Sequence, residues 1–253
     1  MLFVVRHGER ADFAGDDEKQ KIQIPFDPHL TDLGKIQARK AGNHIIRLLK
    51  EYHQESGPKP EDLKYLIISS PFRRCIQTAY HISQALPPEN IWGSKIYLNE
   101  FLSEHLDPLY FEKNILPELQ VRTSIDEVKK VIDIELQDGF PEVGNHFSTP
   151  IYPEKTTIYQ RVPKGYDGFK PHFLEQINKE NNVVVILVSH GYVVEVFLDM
   201  HKAMDYSKGV EYTCLSQYTI EKDGVGKPIV TQCHEQLEEA QAEYEKVLEQ
   251  SKQ

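Results

Sequence analysis

The sequence has no long apolar run and little cysteine. Its longest apolar run, Val183–Val188, is far shorter than the roughly 20 residues that a membrane-spanning helix needs. Leu2–Val5, the apolar residues before the first charge, are too few for a signal peptide, so we expect a cytoplasmic protein. Cys75, Cys214 and Cys233 are widely spaced and odd in number, which is typical of free thiols in a reducing compartment.

The chain also lacks a flexible linker, an internal repeat and the common zinc motifs CxxC and HExxH. We therefore predict one domain over residues 1–253, with no metal and no other cofactor. The 39 acidic and 29 basic residues give a net charge of -10, which repels nucleic acid and anionic membranes, so we expect neither as a partner. Any phosphate site must be a local concentration of positive charge.

Three segments of the sequence share one pattern: an apolar strand, then a polar cluster, then a helix. It occurs in "LFVVRHGER", in "LKYLIISSPFRRCIQTA" and in "VVVILVSHGYVVEVFL". The spacing predicts a strand over 65–69, and a helix over about 32–54 with Thr31 as its N-cap. Strands that lead directly into helices are halves of βαβ units, which indicates an α/β fold with parallel strands.

The three polar clusters predict a shared site. If their strands are parallel neighbours, five side chains converge at one edge of the sheet, where open α/β sheets bind ligands. These side chains are Arg6, His7, Arg10, Arg74 and His190.

This combination indicates phosphoryl transfer. Three arginines match phosphate oxygens and neutralise a phosphoryl dianion without a metal. A neutral imidazole adds no negative charge to an anionic target, so His7 is the candidate nucleophile, and His190 is expected to bind the phosphoryl group. Glu100, at the end of the "IYLNE" strand, is the candidate proton donor and later the base for water, with Glu104 as the alternative.

The remaining segments are less regular. Residues 107–172 hold seven prolines and an amphipathic piece, Ile125–Leu136, and we expect an inserted lid or specificity segment there. "KPHFLEQINKENN" is predicted to be a helix, and "CLSQYTIEKDGVGKPIVTQC" a hairpin. The tail, about 234–251, is predicted to be a charged helix that docks on the body through one stripe of side chains: Leu237, Ala240, Tyr244 and Val247.

Taken together, these motifs resemble the histidine phosphatase superfamily, which includes the cofactor-dependent phosphoglycerate mutases. The matching pieces are "VVRHGER", "LTDLGKIQARKAG", "SSPFRRCIQTA", "LNE" and "VSHG", in the family's order. The resemblance implies a phosphoglycerate mutase-like three-layer α/β/α sandwich with a mostly parallel central sheet. It also implies that Arg6 and Arg74 bind phosphate, that His7 is phosphorylated, that His190 is the second histidine, and that Glu100 is the acid.

Arg10 makes the resemblance more particular. "RHGERAD" is similar to the phosphatase domain of the suppressor-of-T-cell-receptor-signalling proteins, in which the second arginine of the motif also holds phosphate. The acid phosphatase and phytase branch has a proline two residues after that arginine and "HD" near the second histidine. Asp12 and "HGY" stand there instead, which argues against that branch.

The predicted function is therefore metal-independent hydrolysis of phosphate monoesters through phospho-His7. One alternative is a phosphoglycerate-type mutase, which returns the phosphoryl group to a small acid. Another is a catalytically weak phosphate-binding scaffold, because a fold alone does not fix function. The substrate, a phosphorylated small molecule or a phosphoprotein, stays open at this stage, and so does the oligomeric state.

Overall fold

The computed structural model describes residues 1–53, 57–115, 117–118, 152–179, 182–221 and 224–251. Among them, six strands form one sheet in the order β3-β2-β4-β1-β5-β6. The strands are β1 Leu2–Arg6, β2 Lys64–Ser69, β3 Ile91–Leu98, β4 Val183–Ser189, β5 Leu215–Glu221 and β6 Gly224–Cys233. The first four strands in that order pair in parallel, and β5 and β6 add an antiparallel edge.

Helices cover both faces of this sheet. In the described part of the chain they are α1 Asp16–Lys19, α2 Asp32–His53, α3 Arg73–Ser83, α4 Ile158–Lys179, α5 Gly191–Met200 and α6 Gln236–Gln250. One apolar cluster joins alternate strand residues to α2 and α3, and a second joins the other strand residues to α4 and α5. Strand side chains alternate between faces, so the near-continuous apolar strands are buried on both sides. The predicted α/β/α sandwich with a mostly parallel sheet is confirmed.

Helix α2 begins where the sequence predicted. The Gly34 N–H donates to Thr31 Oγ1 at 2.9 Å, which is the expected N-cap bond. The buried side of the helix includes Ile45 and Leu49, which recur at helical spacing and pack on the sheet.

Helix α4 differs from the prediction, because it begins at Ile158 rather than near residue 170. Pro163 and Pro171 lie inside the helix, and proline usually indicates a helix boundary. The free energy of burying apolar side chains outweighs the helix-breaking effect of the prolines here. Helix α4 buries a stripe of large side chains on the sheet: Ile158, Val162, Tyr166 and Phe169. Part of the predicted insert is therefore a helix of the core, whereas Ile125–Leu136 lies outside the described residues.

The C-terminal part confirms the hairpin, formed by β5 and β6, and the tail helix α6. The first half of α6 docks on α2: Ala240 is buried, and Glu243 pairs with Arg39 and Lys40. The predicted docking stripe does not extend to the end of the helix, because Val247 is 49% exposed. In the described ranges, every helix is too short or too polar to cross a lipid bilayer.

Candidate active site

The carboxyl ends of β1, β4 and β2 meet at one edge of the sheet. Arg6 lies opposite Ser189 in the β1–β4 register, and the His7 N–H donates to the Ser189 carbonyl at 2.9 Å. A histidine follows both Arg6 and Ser189, and the rings of His7 and His190 lie edge to face with centroids 5.3 Å apart. Adjacent parallel strands therefore produce the predicted histidine pair.

His7 is arranged as a neutral imidazole with one free nitrogen. Its side chain is 1% exposed, and its Nδ1 lies 2.8 Å from the Gly8 carbonyl. A carbonyl only accepts, so Nδ1 carries the proton and Nε2 keeps its lone pair. Burial, followed by the charges of Arg74 and Arg6, holds the pKa of His7 well below its usual value. His7 is therefore a neutral imidazole near neutral pH.

Two glycines fix the loop that carries His7. A Cβ on Gly8 would lie 2.4 Å from the Gly34 carbonyl, and a Cβ on Gly34 would lie 2.4 Å from the Glu9 carbonyl. The loop and the first turn of α2 therefore approach more closely than any larger residue permits. Thr78 of α3 accepts from the Gly8 N–H at 3.0 Å, so both helices on this face hold the loop.

Two arginines of the site, half-buried Arg6 and buried Arg74, have unsatisfied donors. Arg6 Nε and Arg74 Nε are buried and have no hydrogen-bond partner among the described residues. Buried polar groups are almost always paired, and guanidinium groups bind phosphate through this kind of donor. The open N–H groups indicate an oxyanion as the missing acceptor.

Acidic and aromatic groups hold these arginines in place. Asp27 accepts from the Arg73 N–H at 2.9 Å, and its Oδ1 lies 3.5 Å from Arg74 NH1, so it caps α3 and pairs with Arg74. The Arg6 guanidinium lies 4.6 Å from the centre of the Tyr212 ring. Both contacts join residues that are distant in the sequence, and no local pattern predicts them.

Arg10 lies at the mouth of the site. It pairs with Asp12 through Nε at 2.8 Å and also through NH2, and its guanidinium lies 4.9 Å from the centre of the Phe13 ring. Its charge contributes to lowering the pKa values of Arg74 and His190, after burial as the main cause. The structure therefore brings the five predicted residues, Arg6, His7, Arg10, Arg74 and His190, to one site.

His190 contacts both an arginine and a carboxylate of the site. Its Nδ1 lies 3.1 Å from Arg74 NH2 and 3.2 Å from Glu104 Oε2, and Ser70 Oγ lies 2.8 Å from its Nε2. Burial lowers the pKa of His190 to about 4 although Glu104 opposes the shift. Burial alone would raise the pKa of Glu104, but His190, Arg74 and His7 together hold it well below its usual range.

The structure therefore favours Glu104 over Glu100 as the carboxylate of the site. Glu104, the alternative in the sequence prediction, offers a carboxylate oxygen within 4.8 Å of both histidines. Glu100 begins a 3-10 turn, Glu100–Leu102, in which its backbone carbonyl faces Arg161 at 3.4 Å. The "LNE" match marked the correct loop, but the turn after it carries Glu104 to the histidines.

A buried arginine that the sequence analysis missed holds this loop. Arg161 of α4 donates to the carbonyls of Phe101 at 2.6 Å and Ser103 at 2.9 Å. It also pairs with the Glu154 carboxylate, which is 1% exposed. Its position in a proline-rich stretch gave no sign of this role.

Among the residues that the structure describes, two groups of side chains have the ligand types that transition metals prefer. His7, Glu104 and His190 offer atoms within 4.8 Å of one another, and so do His44, Cys233 and Glu235. The second group lies where α2 meets the start of α6, and Arg47 binds both His44 and Glu235 there.

Comparison with known proteins agrees with the fold. Residues 2–94 match the sequence profile of the histidine phosphatase superfamily (branch 1). The chain is similar to the ecdysone phosphate phosphatase EPPase from Bombix mori in complex with tungstate, with 18% identity, a TM-score of 0.57, and coverage of 92% of this chain and 93% of that chain. It is also similar to Bacillus stearothermophilus YhfR, with 17% identity, a TM-score of 0.52, and coverage of 93% and 98%. No curated protein matches the sequence significantly. The structural similarities show a shared fold over nearly the whole chain.

Proposed function

We propose that this protein, in which residues 2–94 belong to a histidine phosphatase superfamily (branch 1) domain, hydrolyses phosphate monoesters through a phosphohistidine on His7. The observation that carries the proposal is the state of His7: a buried neutral imidazole with Nδ1 bonded to the Gly8 carbonyl and Nε2 free. The open donors of Arg6 and Arg74 beside it supply the oxyanion site. A phosphatase of similar fold, EPPase, was solved with tungstate, an oxyanion that resembles phosphate.

In the first step, the lone pair on His7 Nε2 attacks phosphorus and forms a P–N bond. The ester P–O bond breaks, and the leaving oxygen takes a proton. Arg6, Arg10 and Arg74 hold the equatorial oxygens, because guanidinium donors stabilise the charge that spreads over them in the transition state. The Nδ1–Gly8 bond supports the positive charge that His7 acquires.

Glu104 supplies the proton in this proposal, in place of Glu100. The free site keeps Glu104 ionised, because Arg74 and the histidines lower its pKa. An incoming phosphate ester places negative charge beside this carboxylate, which raises its pKa and favours uptake of a proton. Glu104 then donates that proton to the leaving alcohol.

In the second step, water attacks the phosphohistidine. The P–N bond breaks, the electron pair returns to His7 Nε2, and Glu104 takes a proton from the attacking water. Inorganic phosphate leaves, Glu104 releases the proton to solvent, and the site returns to its starting state. A mutase would instead protect the P–N bond from water and pass the phosphoryl group to a second acid. The particular similarity to the suppressor-of-T-cell-receptor-signalling phosphatase domain stays a prediction.

The test is hydrolysis of 4-nitrophenyl phosphate in EDTA by the wild type, His7→Ala and the control His234→Ala. We expect turnover by the wild type and the control and its loss in His7→Ala, with circular dichroism showing all three folded. An acid-labile, base-stable phosphoryl adduct should accumulate in a rapid quench of the wild type. Turnover by His7→Ala near the wild-type rate would overturn the nucleophile assignment. A folded wild type inactive on this ester and on phosphoglycerates would favour the scaffold alternative.

A further inference from the structure

Exposed aromatic side chains gather around the mouth of the phosphate site. Phe13 is 70% exposed, Tyr110 is 58% exposed and Tyr192 is 37% exposed, although a large apolar ring is usually buried. Tyr212 is half-buried beside His7 and Arg6. We call these four residues the aromatic rim: Phe13, Tyr110, Tyr192 and Tyr212.

Phe13 and Tyr212 each contact a residue of the site, and Tyr192 contacts the residue after Glu104, whereas Tyr110 joins them through Tyr192. Phe13 lies on the Arg10 guanidinium, and the Tyr212 ring centre is 5.9 Å from that of His7. The Tyr192 ring centre is 5.2 Å from that of His105, the residue after Glu104. The rim therefore surrounds the position where an ester group attached to the phosphate would extend.

The polar ends of two rim tyrosines lie against each other. The hydroxyls of Tyr110 and Tyr192 lie 3.1 Å apart, and their ring centres are 6.1 Å apart. This bond joins the two side chains at the mouth, and their exposed rings offer apolar surface for contact with a ligand. Offset and edge-to-face packing makes such ring surfaces selective for flat apolar groups.

The charges at the mouth disfavour an anionic leaving group. Glu195, one helical turn after Tyr192 in α5, is half-buried and interacts electrostatically with Arg6 and Glu104. A carboxylate on the leaving group would be repelled by this group and by the net charge of -10.

Since the phosphate is bound by the arginines, the rim acts on the rest of the ester. We propose, resting on the proposed phosphatase function, that the aromatic rim selects phosphate monoesters of uncharged alcohols that carry a flat ring system. The ring stacks on Phe13, Tyr192 and Tyr212 while the phosphate occupies the site.

The test compares 2-phenylethyl phosphate with propyl phosphate, whose leaving alcohols have similar acidity, so that the ratio of kcat/KM values reports binding of the ring. We expect the wild type to prefer the ring ester, and we expect Tyr192→Ala and Phe13→Ala each to lower the ratio by about 2- to 10-fold. Tyr192→Phe should keep the preference. Tyr52→Ala is the matched control, because Tyr52 is 45% exposed but lies at the opposite end of α2 from the site.

The outcomes separate the two proposals. If the wild type hydrolyses neither ester nor 4-nitrophenyl phosphate, the phosphatase function itself is wrong. If it hydrolyses both esters with equal kcat/KM, or if the ratio is the same in Tyr192→Ala and Phe13→Ala as in Tyr52→Ala, the rim has no role in selection. A loss of preference in Tyr192→Phe as large as in Tyr192→Ala would assign the selection to the hydroxyl and also overturn the inference.

Discussion

Arg161 and Glu154 form a buried two-point ion pair, with Arg161 Nε 2.6 Å from Glu154 Oε1 and NH2 3.0 Å from Oε2. The same guanidinium donates to backbone carbonyls of the loop that ends at Glu104, and Glu154 Oε2 accepts from the Leu106 N–H at 3.2 Å. The pair thus holds both sides of the loop. The position of Glu104 beside His190 depends on a helix in a different part of the chain.

Loss of Arg161 should therefore affect catalysis as well as stability. Removing one partner of a buried ion pair costs about 3–5 kcal/mol, so we expect Arg161→Met to lower the free energy of unfolding by about this amount. At a temperature where Arg161→Met is folded, the fold-decrease in kcat for an alkyl phosphate should be larger than the fold-change in KM. Urea unfolding and steady-state kinetics measure both effects. The control is Lys164→Met on the exposed side of α4, and equal kcat values in the two variants would refute the role in positioning.

The identity of the proton donor is tested by the leaving group. Glu104→Gln removes the proton donor, so kcat/KM for propyl phosphate, which reports the phosphorylation step, should fall by about 100-fold or more, within the range for loss of a general acid. The leaving group of 4-nitrophenyl phosphate is a stable phenolate that needs no proton, so kcat/KM for this ester should fall much less. Glu100→Gln should behave like the wild type with both esters. A reversal of the two variants would restore Glu100 as the acid.

The lowered pKa of His7 predicts activity in acid. An ordinary histidine, with a pKa near 6.5, becomes protonated and loses its nucleophilic lone pair as the pH falls through that value. Burial and the neighbouring arginines lower the pKa of His7, so Nε2 stays free below this pH. We expect kcat/KM for 4-nitrophenyl phosphate, corrected for ionisation of the ester, to show no decline between pH 7 and pH 5.5. A tenfold fall per pH unit below pH 6.5 would contradict this assignment.

The open guanidinium donors predict tight binding of oxyanions. Vanadate should inhibit the wild type and raise its Tm, because it binds only the folded protein. Arg6→Gln and Arg74→Gln each remove charge-assisted hydrogen bonds, which should raise the vanadate inhibition constant by about 10- to 100-fold. Arg39→Gln, on the exposed side of α2, removes the same charge away from the site and should leave the constant unchanged. An equal effect in all three variants would indicate a general loss of positive charge instead.

The close approach of His7, Glu104 and His190 predicts that divalent metal ions inhibit hydrolysis. His7, Glu104 and His190 lie close enough to chelate Zn²⁺, and a bound ion would occupy the nucleophilic nitrogen. We expect added Zn²⁺ to inhibit hydrolysis of 4-nitrophenyl phosphate and EDTA to restore the full rate. Activity that is lost in EDTA and returns only with a divalent ion would point to metal catalysis instead.

The amino-acid sequence by itself determined the sheet, helices α2, α3 and α5 beside it, and which polar residues meet at its carboxyl edge. The local pattern was sufficient to predict these features because apolar strands of this length are stable only in the core. The polar residues that follow such strands then lie at the carboxyl edge of the sheet. The positions of Arg6, His7 and His190 follow from this rule alone. Neighbouring strands β1 and β4 then place the two histidines side by side.

Only the tertiary structure decided the features that depend on contacts between residues distant in the sequence. Glu104 rather than Glu100 reaches the histidines because Arg161, some 60 residues later, binds the carbonyls of the turn between them. Helix α4 forms through two prolines because its apolar stripe is buried on the sheet, an energy that no local pattern contains. Likewise, the aromatic rim combines loops and helix ends from three parts of the chain, whose proximity depends on the whole fold.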